Sequence, residues 1–212
     1  MQFKAVLAIC FALTAFVGGQ AAAAPLKLVA FGDSLMAGYE LPAEDAYPAR
    51  LEQALKAGGH EVTIENGAVS GDTTADGLAR LDWTIPDDAD GVLLELGAND
   101  ALRGVAPVET RKNLDAMLTR LKERGIPVML FGMLAPPNMG EAYSKDFNAI
   151  YPELSRKYGA PLYPFFLDAI ITDASLKLSD GMHPNPKGVE RLVDSTLPAV
   201  ETFVNSLKPR AK

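Results

Sequence analysis

Cysteine is nearly absent from this sequence of 212 residues, which contains only Cys10. Cys10 lies in an apolar segment close to the N-terminus, so residues 24–212 contain no cysteine at all. This part of the chain cannot form an internal disulfide bond. In an oxidising compartment it would depend on its hydrophobic core alone. A chain of this length can bury one core of sufficient size.

The apolar segment itself is too short for a membrane-spanning helix. It runs from Ala5 to Val17, whereas a bilayer span needs about 20 apolar residues. Lys4 precedes the segment and a run of small residues follows it. A basic start, an apolar stretch and small residues at the cleavage point make up a secretory signal peptide. We predict a signal peptide at residues 1–23 and one domain over residues 24–212. The mature protein would be periplasmic or secreted, without stable membrane insertion.

Positive charge is also scarce. The sequence has 20 Lys and Arg against 27 Asp and Glu, and its formal net charge of −7 becomes −8 when Lys4 is removed with the signal peptide. This balance argues against binding to nucleic acid or to anionic membranes. No G-x-x-x-x-G-K loop follows a predicted strand, so nothing indicates a nucleotide site. The charge itself says little about the substrate, and the oligomeric state stays open.

What the sequence does contain is a regular alternation of short apolar runs with amphipathic stretches. Apolar runs predict strands at residues 26–31, 61–65, 91–96, 127–131 and 160–163. Helical periodicity predicts helices at residues 46–57, 108–121, 143–158 and 186–204. Strand–helix alternation is typical of a parallel sheet covered by helices on both faces. We predict an α/β protein, a three-layer α/β/α sandwich with about five strands, whose reactive loops lie at the carboxyl ends of the strands.

Short polar motifs follow the first three strands and precede the last helix. Ser34, Gly71 and Asn99 belong to the first three motifs, and Asp180 and His183 belong to the fourth. A serine directly after a strand projects at the edge of the sheet, where a neighbouring base can activate its hydroxyl. Histidine suits this role because its ordinary pKa of about 6.5 lets it take and return a proton near neutrality.

Two histidines are available as the base. His60 follows two glycines at a predicted helix end, where a solvated or capping role is expected. His183 has Asp180 three residues before it, and this carboxylate can orient the imidazole and stabilise the imidazolium. For the pair alone, an exposed turn histidine beside an acid is the simpler alternative.

Gly71 and Asn99 are candidates for binding an oxyanion. The backbone N–H of Gly71 can approach a substrate closely, and Asn99 offers a side-chain amide, so both could donate to a developing negative charge. Glycine and asparagine are also common turn formers. Each motif is therefore weak support by itself, and the order of all four carries the interpretation.

In that order the motifs resemble the sequence blocks of the GDSL, or SGNH, hydrolases. Residues 31–35 (FGDSL) resemble the first block and residues 68–74 (AVSGDTT) the second. Residues 97–100 (GAND) resemble the third block and residues 180–184 (DGMHP) the fifth. The resemblance spans nearly the whole predicted mature chain.

The resemblance implies a flavodoxin-like sandwich, an acyl-enzyme mechanism and no cofactor or metal. It implies a catalytic triad of Ser34, Asp180 and His183, and an oxyanion hole of Ser34, Gly71 and Asn99. The sequences LMAGY after the serine and GMLAPPNMG after the fourth strand are similar to the secreted bacterial arylesterase and thioesterase/lysophospholipase subgroup. We therefore expect a serine esterase that hydrolyses carboxylic esters, with thioesters as further substrates.

Other interpretations of the same residues stay open. A sugar O-acetyl esterase could use the same scaffold. Asp33, Asp72 and Asp100 could instead bind Mg²⁺ for phosphoryl hydrolysis, although Ser34 and the Asp180–His183 pair would then lack a role. We expect Asp33 to brace the turn that carries Ser34. A non-catalytic protein that binds acyl or lipid ligands is the alternative outside enzymes.

Apolar residues in the loops near these motifs could form an acyl-binding surface. We predict substrate contacts from Met133, Leu134, Pro136 and Met139. The wider candidate set adds Tyr39, Leu41, Pro137, Tyr143 and Phe147. Such residues are equally common in ordinary loop packing. An apolar lining would favour medium acyl or aryl esters, without fixing the chain length.

Overall fold

Five short strands pair in parallel into one sheet within residues 24–208, the part of the chain that the computed structural model describes. They are β1 (Leu26–Phe31), β2 (Val62–Asn66), β3 (Gly91–Glu95), β4 (Val128–Phe131) and β5 (Leu162–Tyr163). Their spatial order, β2-β1-β3-β4-β5, is that of flavodoxin-like sheets. The predicted α/β class and strand number are confirmed. The predicted signal peptide at residues 1–23 lies outside the described residues.

Eight α-helices accompany the sheet in this part of the chain. They are α1 (Ser34–Ala37), α2 (Tyr47–Ala57), α3 (Thr74–Thr84), α4 (Ala98–Leu102), α5 (Pro107–Glu123), α6 (Glu141–Asn148), α7 (Ile150–Tyr158) and α8 (Pro186–Ser206). The single helix predicted at residues 143–158 is divided into α6 and α7. Pro152 accounts for the division, because it has no N–H to donate and its ring crowds the carbonyl four residues earlier.

α3 has too few apolar residues to be predicted from periodicity, since its sequence TADGLARLDWT contains only two leucines. The helix is specified at its start instead. The Thr73 hydroxyl accepts a hydrogen bond from Asp76 N–H, and the Asp76 carboxylate accepts one from Thr73 N–H. This capping box satisfies two backbone donors of the first turn. It makes α3 begin at Thr74, with Thr73 as its N-cap.

The helices cover both faces of the sheet. α2 packs against α8, whereas α3 packs against α5 and α5 against α7. The connections from β1 to β2 and from β2 to β3 cross the sheet in opposite directions, and right-handed crossovers then place α2 and α3 on opposite faces. β3, in the centre, is buried along all five of its residues. The predicted three-layer arrangement is thus confirmed.

The reversal in strand order lies between β1 and β3. Phe31 and Leu94 are register partners at the carboxyl ends of these strands. The segments after β1 and β3, which carry Ser34 and Asn99, therefore leave the sheet side by side. In open α/β sheets a crevice forms at this point, and ligands bind there.

The start of α8 fixes the loop that carries Asp180 and His183. Asn185 caps the helix, since its Oδ1 accepts from Gly188 N–H at 3.0 Å, and its Nδ2 donates to the carbonyls of Ser175 and Lys177 at 2.8 and 3.1 Å. Within the loop, Leu178 N–H donates to the carbonyl of His183 at 2.8 Å. Between residues 24 and 208, no helix combines the length and apolarity that a membrane crossing requires.

Candidate active site

Ser34 is the first residue of α1, in the turn that follows β1. Asp33 caps this short helix, and its Oδ1 accepts a hydrogen bond from Leu35 N–H at 3.0 Å. At the N-terminal end of a helix, the Ser34 N–H has no intrahelical acceptor. Ser34 is 9 % exposed and lines an open cavity. The turn therefore presents both the hydroxyl and the N–H of one residue at the edge of the sheet.

His183 and Asp180 reach Ser34 from the loop before α8. His183 Nε2 lies 2.8 Å from Ser34 Oγ, and His183 Nδ1 lies 2.6 Å from Asp180 Oδ2. The other oxygen of Asp180 accepts from the backbone N–H groups of Met182 and His183 at 2.8 and 3.1 Å. The structure thus joins the three predicted residues in one hydrogen-bonded chain, across 149 positions of sequence.

The carboxylate of Asp180 is held in its ionised form. The hydrogen bond with the His183 side chain is the main cause that lowers the pKa of Asp180 to about 2, and the N–H of Met182 acts in the same direction. An ionised Asp180 favours a proton on His183 Nδ1. His183 Nε2 is then free to accept the proton of Ser34.

Tyr39 packs against the imidazole. Its ring centroid lies 4.4 Å from that of His183, with 33° between the ring planes. Tyr39 was expected only as a candidate for acyl binding. No local pattern joins residues 39 and 183, so their contact emerges only from the fold. The ring restricts the positions open to His183 and narrows the cavity beside it.

Gly71 lies in the loop between β2 and α3, with a backbone φ of +88°. Residues with a Cβ rarely adopt this conformation. The backbone conformation, and not a steric clash, favours glycine here, because the closest heavy atom to a Cβ added at Gly71 would be Arg103 Nη2 at 3.9 Å. Arg103 Nη2 also donates to the Gly71 carbonyl at 2.8 Å. The carbonyl is thereby fixed, and Gly71 lines the cavity together with Ser34.

The Asn99 side chain links the segments that follow β1, β2 and β3. Its Nδ2 donates to Asp33 Oδ2 at 3.1 Å and to the carbonyl of Asp72 at 3.0 Å. Gly97, two residues before Asn99, has a φ of +123°, which turns the chain. A Cβ added at Gly97 would lie only 2.1 Å from Tyr151 Oη. Ser34, Gly71 and Asn99 therefore line one cavity. Both hydrogens of the Asn99 amide have protein acceptors.

The three aspartates considered for Mg²⁺ have separate partners. Asp72 forms an ion pair with Arg80 at 2.5 Å. Asp100 is buried and accepts from the hydroxyl of Thr74 at 2.5 Å and from its N–H at 2.8 Å. Asp33 caps α1. Among residues 24–208, no three His, Cys, Asp or Glu side chains are grouped so that they could hold a metal ion.

Arg80 of α3 ties the Ser34 turn to the Gly71 loop. Its guanidinium pairs with the Asp72 carboxylate and donates to the carbonyls of Gly67 and Gly32 at 2.6 and 3.1 Å. It also lies over the ring of Phe31, 4.1 Å from the centroid. Periodicity did not predict α3, so this role of Arg80 was not expected.

The cavity beside Ser34 has a volume of about 710 Å³ and a mainly apolar lining. Of the predicted substrate contacts, Met133, Leu134 and Pro136 line it, as do Tyr39 and Pro137 of the wider set. Further lining side chains that the sequence did not single out are Leu102, Phe165, Leu167, Ile171 and Met182. Leu102 ends α4, and the other four come from the segment between β5 and α8.

The remaining candidates lie elsewhere. Met139 is not among the lining residues; it ends a 3-10 turn, and its methyl group lies near Gly104. Tyr143 donates to the carbonyl of Val105, and Phe147 is buried in the core against the Tyr143 ring. Leu41 packs against the core.

The other histidine, His60, has its Nε2 3.8 Å from Oε1 of Glu201 on α8. It is not among the residues that line the cavity beside Ser34. His183 is therefore the histidine of this site.

Comparison with known proteins gives concordant matches. Residues 30–191 match the family model of GDSL-like lipases/acylhydrolases. An arylesterase from Vibrio mimicus is 44% identical over 162 residues, which are 76% of this chain and 81% of the relative. Thioesterase 1/protease 1/lysophospholipase L1 from Escherichia coli K12 is 35% identical over 185 residues, 87% of this chain and 88% of that protein.

A solved structure of the psychrotrophic esterase EstA from Pseudoalteromonas sp., inhibited by monoethylphosphonate, is similar with a TM-score of 0.80. Its sequence is 30% identical, and the match covers 85% of this chain and 99% of that one.

Arg80→Met tests whether Arg80 links the turn before Ser34 to the loop that carries Gly71. We expect the free energy of unfolding to fall by about 2–4 kcal/mol, because the substitution leaves the Asp72 carboxylate and the Gly67 carbonyl without the Arg80 donor. The Gly32 carbonyl keeps its hydrogen bond from Val69 N–H. Urea unfolding followed by circular dichroism measures this loss. The matched control is Arg120→Met, which removes a more exposed pair with Asp82 and should cost about 0–1 kcal/mol. Equal losses in the two variants would contradict the proposed role.

Proposed function

Because this chain belongs to the GDSL-like lipase/acylhydrolase family and is a carboxylic ester hydrolase, we propose that it acts through an acyl-enzyme intermediate on Ser34. The observation that carries this proposal is the hydrogen-bonded chain from Ser34 Oγ through His183 to Asp180, at the edge of an apolar cavity. A hydroxyl that donates to an imidazole, itself oriented by a carboxylate, is the arrangement that activates a serine nucleophile.

In the first half of the reaction, His183 Nε2 takes the proton of Ser34 while Ser34 Oγ attacks the acyl carbonyl. The imidazolium is stabilised by Asp180, whose low pKa keeps it ionised over the whole neutral range. His183 then gives its proton to the leaving alcohol or thiol as the carbon–oxygen or carbon–sulfur bond breaks. The acyl group is left as an ester on Ser34.

The oxyanion of the tetrahedral intermediate is held by the N–H groups of Ser34 and Gly71 and by the Asn99 amide. In the resting protein the Asn99 hydrogens point at Asp33 and at the Asp72 carbonyl. The arriving oxyanion competes with the neutral Asp72 carbonyl for one of them, while Asp33 retains the other. A charged oxygen is the stronger acceptor, so the bond strengthens as charge develops.

Water completes the cycle. His183 deprotonates a water molecule, which attacks the Ser34 ester through a second tetrahedral intermediate in the same oxyanion hole. His183 returns the proton to Ser34 Oγ, and the carboxylic acid departs. In this scheme the protein side chains perform every proton transfer.

The lining of the cavity favours an apolar acyl or aryl group. Eight large apolar side chains are exposed within residues 24–208, and five of them line this cavity. They are Tyr39, Leu102, Leu134, Ile171 and Met182. Covering such surface with an acyl chain contributes about 25 cal/mol per Å². An acetyl group would leave most of it exposed, so we rank a sugar O-acetyl esterase below an esterase for medium acyl or aryl groups.

Thioesters and lysophospholipids come within the proposed substrate range. Both have an acyl carbonyl for Ser34, and relatives of this chain are named for both activities. The predicted signal peptide at residues 1–23 leads us to propose a periplasmic or secreted location. The non-catalytic and Mg²⁺-dependent alternatives rank lower, because neither gives the Ser34–His183 hydrogen bond a role.

Asn99→Ala tests the oxyanion hole. Losing one preorganised donor should lower kcat by roughly 100- to 1,000-fold. KM should change little, because the interaction strengthens only in the transition state. Steady-state kinetics with p-nitrophenyl butyrate, well below the unfolding temperature, measure both constants. Asn205→Ala, an exposed position on α8, is the control and should behave as the wild type. A near-normal kcat in Asn99→Ala would remove Asn99 from the mechanism.

A series of p-nitrophenyl esters tests the apolar acyl site. From acetate to octanoate, kcat/KM should rise by up to about fourfold for each CH₂ that becomes buried. Ile171→Asn should flatten this rise and leave the acetate rate almost unchanged. Val108→Asn, which changes a more exposed apolar side chain outside the cavity, should keep the wild-type profile. Faster hydrolysis of an acetylated sugar than of any longer ester would favour the O-acetyl esterase instead.

A further inference from the structure

Glu95 is a buried acid that the proposed mechanism does not use. It ends β3, the central strand, whose other residues are Gly, Val and Leu, and it is fully inaccessible to solvent. A glutamate is rarely buried to this extent unless a partner compensates it. Glu95 lies three residues before α4 begins and beside the turn that carries Ser34. This position suggests that the group compensating Glu95 belongs to the active site.

The contacts of Glu95 all point toward the turn before Ser34. Its Oε2 accepts a hydrogen bond from Asp33 N–H at 3.2 Å, and its side chain also hydrogen-bonds the Asp33 carboxyl group. Gly32 allows this approach, since a Cβ there would lie 2.7 Å from both the carbonyl oxygen and Oε2 of Glu95. Glu95 Oε1 is buried without a donor from the described residues.

Two buried carboxyl groups in contact hold a proton between them, because both charges together are too costly. The single negative charge of the pair is more stable on Asp33 than on Glu95. The two oxygens of Asp33 accept hydrogen bonds from Leu35 N–H and Asn99 Nδ2. Glu95 has only one N–H donor and no cation in contact within residues 24–208. The proton therefore resides on Glu95.

The electrostatics agree with this geometry. Burial, and then the negative charge of Asp33, raise the pKa of Glu95 well above its usual range. Burial raises the pKa of Asp33 to about 6, against the opposing hydrogen bonds from Leu35 and Asn99. Tyr151 of α7 is a further titratable group near Glu95. Its hydroxyl donates to the carbonyl of Leu96 at 2.8 Å. Burial, and then the negative charge of an ionised Glu95, raise the pKa of Tyr151.

We propose that Glu95 is a positioning residue that stays protonated in the active enzyme and donates a hydrogen bond to the Asp33 carboxylate. This bond holds Asp33 where one oxygen caps the Ser34 helix and the other orients the Asn99 amide. Glu95 thus acts on catalysis through Asp33, without touching substrate. The inference rests on the proposed function, because it assigns Glu95 to the support of Ser34 and Asn99.

Glu95→Gln and Glu95→Leu separate this role from simple packing. The glutamine keeps both an acceptor for Asp33 N–H and a donor for the Asp33 carboxylate, so kcat should stay within about twofold of the wild type. The leucine removes both, and kcat should fall by roughly 10- to 100-fold at unchanged KM. Val92→Ala, which loosens the same strand at a buried position, is the control and should keep its kcat below its unfolding temperature.

Stability against pH gives a second readout that does not depend on activity. A carboxyl group whose folded pKa is raised retains a proton that the unfolded chain releases, so the wild type loses stability as pH rises above about 4.5. Glu95→Gln has no such proton. The melting temperature of Glu95→Gln minus that of the wild type should therefore increase between pH 5 and pH 8. The infrared band of a buried protonated carboxyl should be present in the wild type and in Ser34→Ala, and weaker in Glu95→Gln.

The outcomes are distinct. Loss of activity in Glu95→Gln would overturn the proposal, because it would mean that an ionised Glu95 is required. Equal kcat in Glu95→Gln and Glu95→Leu, or a melting difference that does not grow with pH, would also overturn it. Failure of the proposed function looks different: Ser34→Ala would retain ester hydrolysis, whatever the Glu95 variants do.

Discussion

The carboxylate of Asp33 lies fully buried where β1 and β3 end, and the geometry of the site depends on its contacts. One oxygen caps the helix that begins at Ser34, and the other holds the Asn99 amide. Asn99 in turn binds the Asp72 carbonyl, next to Gly71. Because these bonds cross between segments that follow different strands, the nucleophile and the oxyanion donors have fixed relative positions before substrate arrives. Such preorganisation is the main electrostatic source of catalysis in acyl transfer.

Sequence reasoning succeeded where the chemistry is local. A serine directly after a buried strand must project at the sheet edge, and Asp180 can reach His183 because only one turn separates them. These local rules placed the triad residues, the glycine and the asparagine at one edge, and the strands within one or two residues of their bounds. The flavodoxin-like arrangement of the strands, by contrast, is implied only by the resemblance to the GDSL hydrolases.

Contacts between distant segments could not be predicted. Nothing near Tyr39 in the sequence indicates that its ring packs on His183, and nothing near Glu95 indicates that Asp33 shares its proton. An apolar residue in a loop can line a cavity or fill the core. Leu134 does the first, Phe147 of α6 does the second, and Met133 does both. α3 was missed because a capping box and Arg80 specify it more strongly than its few leucines do.

Reaction with a fluorophosphonate at neutral pH, followed by proteolysis and mass spectrometry, tests most directly whether Ser34 is the nucleophile. An activated serine forms a stable phosphonyl ester, whereas an ordinary hydroxyl reacts slowly. We predict one adduct, on Ser34, in step with the loss of esterase activity. Ser70→Ala, which removes a second serine that lines the cavity, should be labelled as the wild type is, and His183→Ala should react far more slowly. Full inactivation with the adduct on Ser70, or hydrolysis that persists in Ser34→Ala, would contradict the account.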